Sequence, residues 1–485
     1  MSGLSVSRSL AWMGVTSLLG QVITWAVTII VARILTPADY GLVALSGLFT
    51  VFAMAVSEMG VGASVIQNQE VTRRQMRELY GVSIGSGVIM FGIGQLAAPL
   101  MATFFSDPRL GPLVSVQSFV FLISAAKSMP RNILVRETRF DVIAKVETAA
   151  RIATSICALG MVLFGAGYWA IAVQGLFVEF FQFLIFCRVE RITPTMNIHF
   201  HDIRELLRFG AKTVVGGIIW QFYNMVDTAI LGRVATKEFL GAYGFSKQLT
   251  NMPFEKIVSM VNKVTFPYLA RRQSDICQFK AWTLRAAYLQ CLAIAPFFYL
   301  LYFCAEEAII IILGSNWLGA VLPMKVFCIA SVFKLIESYN LTCLTALGKI
   351  NEQVRFVLLL LVLVGGGMLV WALAVGVESS IYVWITIYPV LSIMFCRVLM
   401  RALNLSVIDI FIYLRPAIVA QGIMILILAL TDSQIHGSAW FTAVVKCVVG
   451  AGTYGVSILL LDYFEKRGNE DTVWSMVVNR FGLVK

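Results

Sequence analysis

The sequence predicts an all-α, polytopic membrane protein of about fourteen transmembrane helices. Two six-helix lobes are expected, related by a pseudo-two-fold axis along the membrane normal, with two extra helices at the C-terminal end. Three observations carry this expectation. Of the 485 residues, 59% are hydrophobic and only 13% are charged, too apolar for a soluble chain of this size. Apolar stretches of spanning length recur along the whole sequence. And the beginning of the chain repeats in its middle: shifted by 200 residues, Gln21, Thr28, Ile30, Arg33, Thr36, Gly41 and Ser46 fall on Gln221, Thr228, Ile230, Arg233, Thr236, Gly241 and Ser246. Ala11/Ala211 and Val15/Val215 extend the match to nine identities over residues 11–46, against about three by chance in so apolar a sequence. A repeat of this length is a duplicated helical unit, and duplicated halves in membrane proteins flank a transport pathway.

Taken in order, the spans are expected at 9–33, 41–66, 79–104, 110–131, 142–165, 168–188, 209–233, 240–269, 283–304, 317–347, 354–374, 379–396, 414–431 and 438–461. Each is near the twenty or so residues that cross a bilayer core. The first has no small-residue cleavage site before it ends, so it reads as a span and not as a cleaved signal. Orientation follows from the loops. Twenty-six of the 38 basic residues lie on one side, among them Arg73, Arg74, Arg77, Arg131, Arg136, Arg139, Arg271 and Arg272. The other side has Arg33, Arg109, Arg233 and Lys237. This asymmetry places both termini in the cytoplasm. Six spans precede the second copy, and an even number gives the copies the same orientation. A weaker match at an offset of 208 (Ala97/Ala305, Leu110/Leu318, Gly111/Gly319, Phe119/Phe327, Asn132/Asn340) extends the repeat. The expected organisation is an N-lobe over 1–188, a cytoplasmic linker over 189–205, a C-lobe over 206–403, spans 13 and 14 over 404–461 and a cytoplasmic tail over 462–485.

A net charge of +11 in a soluble protein points to nucleic acid. Here topology accounts for it, and no nucleic-acid partner is expected. The nine cysteines are scattered, mostly within apolar runs, without C-x-x-C spacing, and three histidines are too few for a histidine-based metal centre. No Walker A loop, G-x-S-x-G, H-E-x-x-H or acidic loop cluster is present. The chain is therefore not expected to be an enzyme, and no cofactor is expected.

The polar residues inside the spans carry the functional reading. Gln21, Thr24 and Thr28 share one face of the first helix, and Gln221, Asn224 and Thr228 repeat it, with Asp227 alongside. Such a stripe suits either a wet pathway or interhelical hydrogen bonding. Charge weighs more, since a charged side chain at the bilayer centre costs about 2.5–3.5 kcal/mol even on insertion scales. Segment 8 aligns Lys247, Asn251 and Glu255, and segment 10 carries Lys334 and Glu337 one turn apart. In the N-lobe, Glu58, Lys127 and Glu179 are the further candidates. Glu147 and Arg151 are spaced to satisfy each other. Lys446 and Lys325 are within snorkelling reach of the outer face, and Lys127 is within reach of the inner face if segment 4 ends early. Lys247, Glu255 and Lys334 remain as cavity residues, and ammonium groups there suit an anionic substrate. Asp227, Glu255 and Glu337 are the acids available for H+ or Na+ coupling. The alternative for them is pairing, Glu337 with Lys334 and Glu255 with Lys247 or a neighbouring helix.

Several strings together resemble a known family: R-I-L-T-P-A-D-Y-G (33–41), E-M-G-V-G-A-S-V-I-Q (58–67), P-R-N-I-L-V-R-E-T-R-F (130–140), L-G-S-N-W (313–317) and A-L-G-K-I (346–350). They are similar to the Wzx-type polysaccharide flippases of the colanic-acid exporter kind, in the multidrug/oligosaccharidyl-lipid/polysaccharide exporter superfamily. The resemblance implies a flippase of the bacterial inner membrane with a cationic central cavity, working by alternating access. Its substrate would be an undecaprenyl-pyrophosphate-linked oligosaccharide, and its partners membrane lipids, a polysaccharide polymerase and glycosyltransferases. Many relatives carry an arginine in the first helix where this chain has Gln21, Thr24 and Thr28. The competing readings are a cation-coupled antiporter of small molecules, which would need acids as the main cavity charge, and a membrane-embedded glycosyltransferase, which would need a larger loop or an acidic cluster.

Overall fold

The computed structural model describes residues 20–57, 61–68, 70–435 and 437–465. Every regular element among them is helical. The first stretch holds α1 (Gly20–Ile34), α2 (Pro37–Ser57) and α3 (Val61–Gln67). There follow α4 (Arg73–Phe104), α5 (Leu110–Gln117), α6 (Phe119–Arg136), α7 (Phe140–Leu163), α8 (Trp169–Ala172) and α9 (Gln174–Val189). Then come α10 (Phe200–Val234), α11 (Lys237–Ala270), α12 (Ile276–Phe303), α13 (Ala305–Ile312), α14 (Val321–Ala346) and α15 (Ile350–Ala374). The chain continues through α16 (Ile387–Leu403), α17 (Val407–Asp432) and α18 (Ala439–Glu465). Short 3-10 turns, Ser315–Ala320 and Glu378–Trp384, lead into α14 and α16.

Ten helical stretches among the described residues are long and apolar enough to cross a membrane. They coincide with ten of the expected spans, from 79–104 to 168–188 and from 283–304 to 438–461. The four remaining segments, on α1, α2–α3, α10 and α11, are helical over their described residues. The 35-residue α10 and 34-residue α11 carry more charge than a plain lipid-facing helix. α10 also starts earlier than expected, at Phe200, because Asp202 and the residues after it continue the helix without a breaker.

Helix ends follow local chemistry. Thr36 and Asp39 satisfy each other at the start of α2: the Thr36 amide and hydroxyl donate to Asp39 Oδ2 at 2.9 and 2.8 Å. Pro37 then occupies the first helical position, where its missing N–H costs nothing. The second copy breaks at the same offset, with the Phe239 amide donating to Thr236 Oγ1 at 3.2 Å. α1 and α2 meet at 118°. Thr72 with Gln75 caps α4, and Ser406 with Asp409 caps α17, each as a reciprocal capping box.

Contacts divide the chain into two units, Met1–Gly244 and Phe245–Lys485, and the division falls inside α11. In the first unit α4 packs on α6, α6 on α9 and α7 on α9, while α10 packs on α2 and α3. In the second unit α12 packs on α14, α14 on α16 and α15 on α16, the same order of neighbours. There α17 pairs with α18 and packs on α12.

One contact in the first unit joins matched positions of the repeat. A side chain added at Gly41 would place its Cβ 2.1 Å from the Lys237 carbonyl oxygen, and one at Gly241 would place it 1.7 Å from the Pro37 carbonyl oxygen. The starts of α2 and α11 thus meet backbone to backbone, which only glycine permits. Gly244, on the same helix, has open space around it. Gly241→Val is expected to lower the thermal unfolding temperature of the purified protein markedly, and Gly244→Val to leave it within a degree or two. Equal tolerance at both positions would show that the helices can part without cost.

Candidate functional site

The second unit gathers the lysines of segments 8 and 10. Lys334 on α14 donates from Nζ to Asn251 Oδ1 on α11 at 3.2 Å. Its ammonium lies 5.3 Å from the ring centre of Trp384 and 5.9 Å from that of Phe327. Lys247, one turn before Asn251, approaches the same indole at 5.9 Å. Trp384 closes the 3-10 turn ahead of α16 and packs on both Phe327 and Tyr388. Two cations therefore share one indole, each contact worth about 0.5–2 kcal/mol depending on desolvation. The i,i+4 spacing puts Lys247 and Asn251 on one face of α11, and the bond from Lys334 brings α14 to that face.

Glu337 is 5% exposed and lies one turn beyond Lys334. The expected ion pair with Lys334 does not form; the Tyr388 hydroxyl on α16 donates to its carboxylate instead. An aromatic residue in an apolar run gave no sequence signal for that role. Glu255 is exposed and enters no ion pair among the described residues, so the expected pairing with Lys247 is also corrected. Pro253 breaks the helical bonding between Asn251 and Glu255, having no N–H for the Leu249 carbonyl.

In the first unit, Lys127 is 8% exposed. It is held by Glu179 Oε2 at 2.5 Å and Gln182 Oε1 at 2.9 Å. The expectation that Lys127 reaches the interface therefore fails: α6 runs on through Arg136 and leaves the side chain inside the α6–α9 contact. Glu147 pairs with Arg131 at 3.0 Å and not with Arg151. Asp227 is 1% exposed; it accepts from the Tyr243 hydroxyl at 2.6 Å and from the Thr228 amide at 2.7 Å. Its counterpart in the first copy is Val27, so this charge is an addition to the repeat. The polar stripes are largely used within their own helices. Thr24 and Thr28 donate to the Gly20 and Thr24 carbonyls at 2.9 and 2.8 Å, and Asn224 to the Trp220 carbonyl at 2.9 Å. Gln21 and Gln221 are half-buried. Glu58 lies outside the described residues.

Lys446 is corrected as well. It is 6% exposed and bridges α18 to Glu307 and Asp432, both at 2.6 Å, with a further bond to the Phe303 carbonyl at 3.0 Å. Sequence reasoning missed Glu307 because it opens the short α13, which no periodicity marked. Outside the spans, the guanidinium of Arg109 bonds the buried Asp107 at 2.9 Å and holds its carboxyl below the usual carboxylate range.

A separate cavity of about 460 Å³ lies among α12, α14, α16 and α17. Its lining is mostly apolar, with Thr283, Gln290, Asn340, Gln421 and the hydroxyl-bearing Tyr299 and Tyr339 among the polar exceptions, and contains neither Lys247 nor Lys334. Among the described residues no cluster of His, Cys, Asp or Glu has the makings of a metal site.

Comparison with known proteins gives three kinds of likeness. The family described as "Polysaccharide biosynthesis protein" matches residues 30–322. The teichuronic acid biosynthesis protein TuaB of Bacillus subtilis (strain 168) is 24% identical, over 62% of this chain and 62% of that one. The lipopolysaccharide biosynthesis protein WzxC of Escherichia coli (strain K12) is 22% identical over 67% of each. In fold, the lipid II flippase MurJ in its inward closed conformation superposes with a TM-score of 0.70, covering 92% of this chain and 98% of that one at 12% identity.

Proposed function

Because this chain belongs to the polysaccharide biosynthesis protein family, we propose that it is a flippase for a lipid-linked oligosaccharide. The substrate is an undecaprenyl-pyrophosphate-linked repeat unit, moved across the bacterial inner membrane by alternating access. The observation that carries this reading is the lysine pair on one indole, Lys247 and Lys334 at Trp384. Intramembrane cations held by an aromatic face and an amide keep their charge available to a diphosphate, which ammonium groups bind as point charges. The names of TuaB and WzxC, both glycan biosynthesis proteins, and the MurJ-like fold support the same substrate class.

In this reading the chain spans the membrane fourteen times with both termini in the cytoplasm, and the two copies of the repeat form two six-helix lobes. α17 and α18 are the added pair. Lys247, Asn251 and Lys334 receive the pyrophosphate. Asp227 and Glu337, both buried and both bonded by a tyrosine hydroxyl, are the acids placed to couple transport to H+ or Na+. Those two acids also favour the second reading, a cation-coupled antiporter of small molecules.

Cells lacking the protein are expected to accumulate lipid-linked repeat units that remain accessible only from the cytoplasmic face, and to lose the surface glycan. Unchanged distribution of the lipid-linked units would argue for the antiporter.

A further inference from the structure

Where α4 begins, it meets the chain segment that follows α9 in a basic cleft of about 660 Å³. Arg73, Arg74 and Arg77 come from the helix, and Arg191 and His199 from the segment. The wall is built. The Thr195 amide donates to the Arg77 carbonyl at 3.1 Å. Gly81 lets the segment lie close, since a Cβ there would be 2.2 Å from the Thr195 carbonyl oxygen. Ile192 and Ile198 anchor it on the buried cluster of Leu79, Tyr80 and Met129.

The charges in this cleft are incompletely balanced. Glu190 takes Arg73 at 3.2 Å, and Glu78, 1% exposed, takes Arg74 at 3.0 Å and the His199 amide at 3.3 Å. Arg77 gives its Nε to the Thr193 carbonyl at 3.1 Å, which fixes the plane of its guanidinium. Among the described residues no carboxylate lies within 4.0 Å of Arg77 or Arg191. Arg73 and Arg74 also stand in the first turn of a helix, where the macrodipole disfavours cations and favours an anion. Beside the cleft, Met196 is 79% and Phe200 64% exposed. A dissolved anion has no use for those two side chains, whereas a lipid presents both a phosphate and an apolar chain.

We propose that this cleft holds the phosphate of an anionic membrane lipid, gripped by Arg77 and Arg191, with Met196 and Phe200 inserted beside its glycerol and upper acyl carbons. The position agrees with the chemistry. α4 enters its apolar span within two turns of Arg73, so the cleft lies at headgroup depth. Planar guanidinium pairs match phosphate bidentately, and basic pockets at helix ends bind anionic headgroups. The site stands apart from the lysines assigned to the transported substrate and does not depend on that assignment.

The test is binding of a short-chain phosphatidylglycerol to the full chain in detergent. The wild-type protein should bind it, and R77Q/R191Q should weaken binding about thirtyfold, the effect of losing two basic contacts. K349Q/R401Q, which neutralises a second basic cleft at the start of α15, should change it less than twofold. R77K/R191K keeps the charge, guards against misfolding, and should still weaken binding because the planar fork is lost. Inorganic phosphate at equal concentration should not displace the lipid. Equal weakening by the two glutamine pairs, no weakening by R77Q/R191Q or R77K/R191K, or full displacement by phosphate would each overturn the proposal.

Discussion

Lys334→Gln should reduce glycan export at least tenfold while leaving the protein near its normal level. Glutamine removes the charge and keeps a polar donor, one bond shorter, on the side of Asn251, whose oxygen is 3.2 Å from the ammonium. A hydrogen bond to a charged group is worth about 1.5–3 kcal/mol, so losing it from a bound diphosphate should cost roughly ten- to a hundredfold. Lys247→Gln should act in the same direction, since both ammonium groups face Trp384. The double variant should cost less than the sum of the singles, because each lysine relieves like-charge repulsion when the other is gone. Export assayed in complemented deletion cells, with protein level by immunoblot, reads all three. Full export by both single variants would show that the two lysines do not hold the substrate.

Lys446→Ala is expected to have the largest effect on stability. The side chain bridges Glu307 and Asp432 at 2.6 Å each and ties α18 to α13 and to the end of α17. Glu307 is 8% exposed, and removing one partner of a buried pair strands the other charge, at a cost of about 3–5 kcal/mol. The loss should appear as reduced accumulation and a lowered unfolding temperature in detergent. Glu307→Gln in the Lys446→Ala background should restore much of it, because the stranded charge is then gone. A K446A protein as stable as wild type would mean that water reaches the cluster and that the contact is ornamental to the fold.

The fold was legible wherever the sequence signal is collective. Ten apolar segments returned as long helices because the bilayer requirement acts on whole windows of about twenty residues. The repeat returned as the matched helix breaks at Thr36 and Thr236, because capping chemistry is local and both copies keep it. The pairing of charges was less legible. Helical spacing put Lys247 and Asn251 on one face of α11, since they are one turn apart, but it did not report that Lys334 on α14 meets them. It assigned Glu147 to Arg151 within one helix, where Arg131 on the neighbouring α6 is the actual partner. Glu337 went to Lys334 for the same reason, whereas Tyr388 holds it. Partners on other helices lie dozens of residues away, and no periodicity within a segment reports them. Lys446 and Lys127 failed alike. Distance from a segment end says that a lysine can snorkel, but a carboxylate nearer by decides that it does not.

Carriage of a lipid-linked, diphosphate-bearing glycan across a bilayer is the function we propose for this chain. Purified protein in proteoliposomes, supplied with a polyprenyl-diphosphate-linked oligosaccharide on one face, tests it most directly. A glycosidase or lectin that cannot cross the membrane reads the fraction exposed on each side over time. Equilibration should be rapid with the wild-type protein, slow with Lys334→Gln, and absent without protein. Equilibration no faster than in empty liposomes, or equally fast with the lysine variant, would contradict the proposed function.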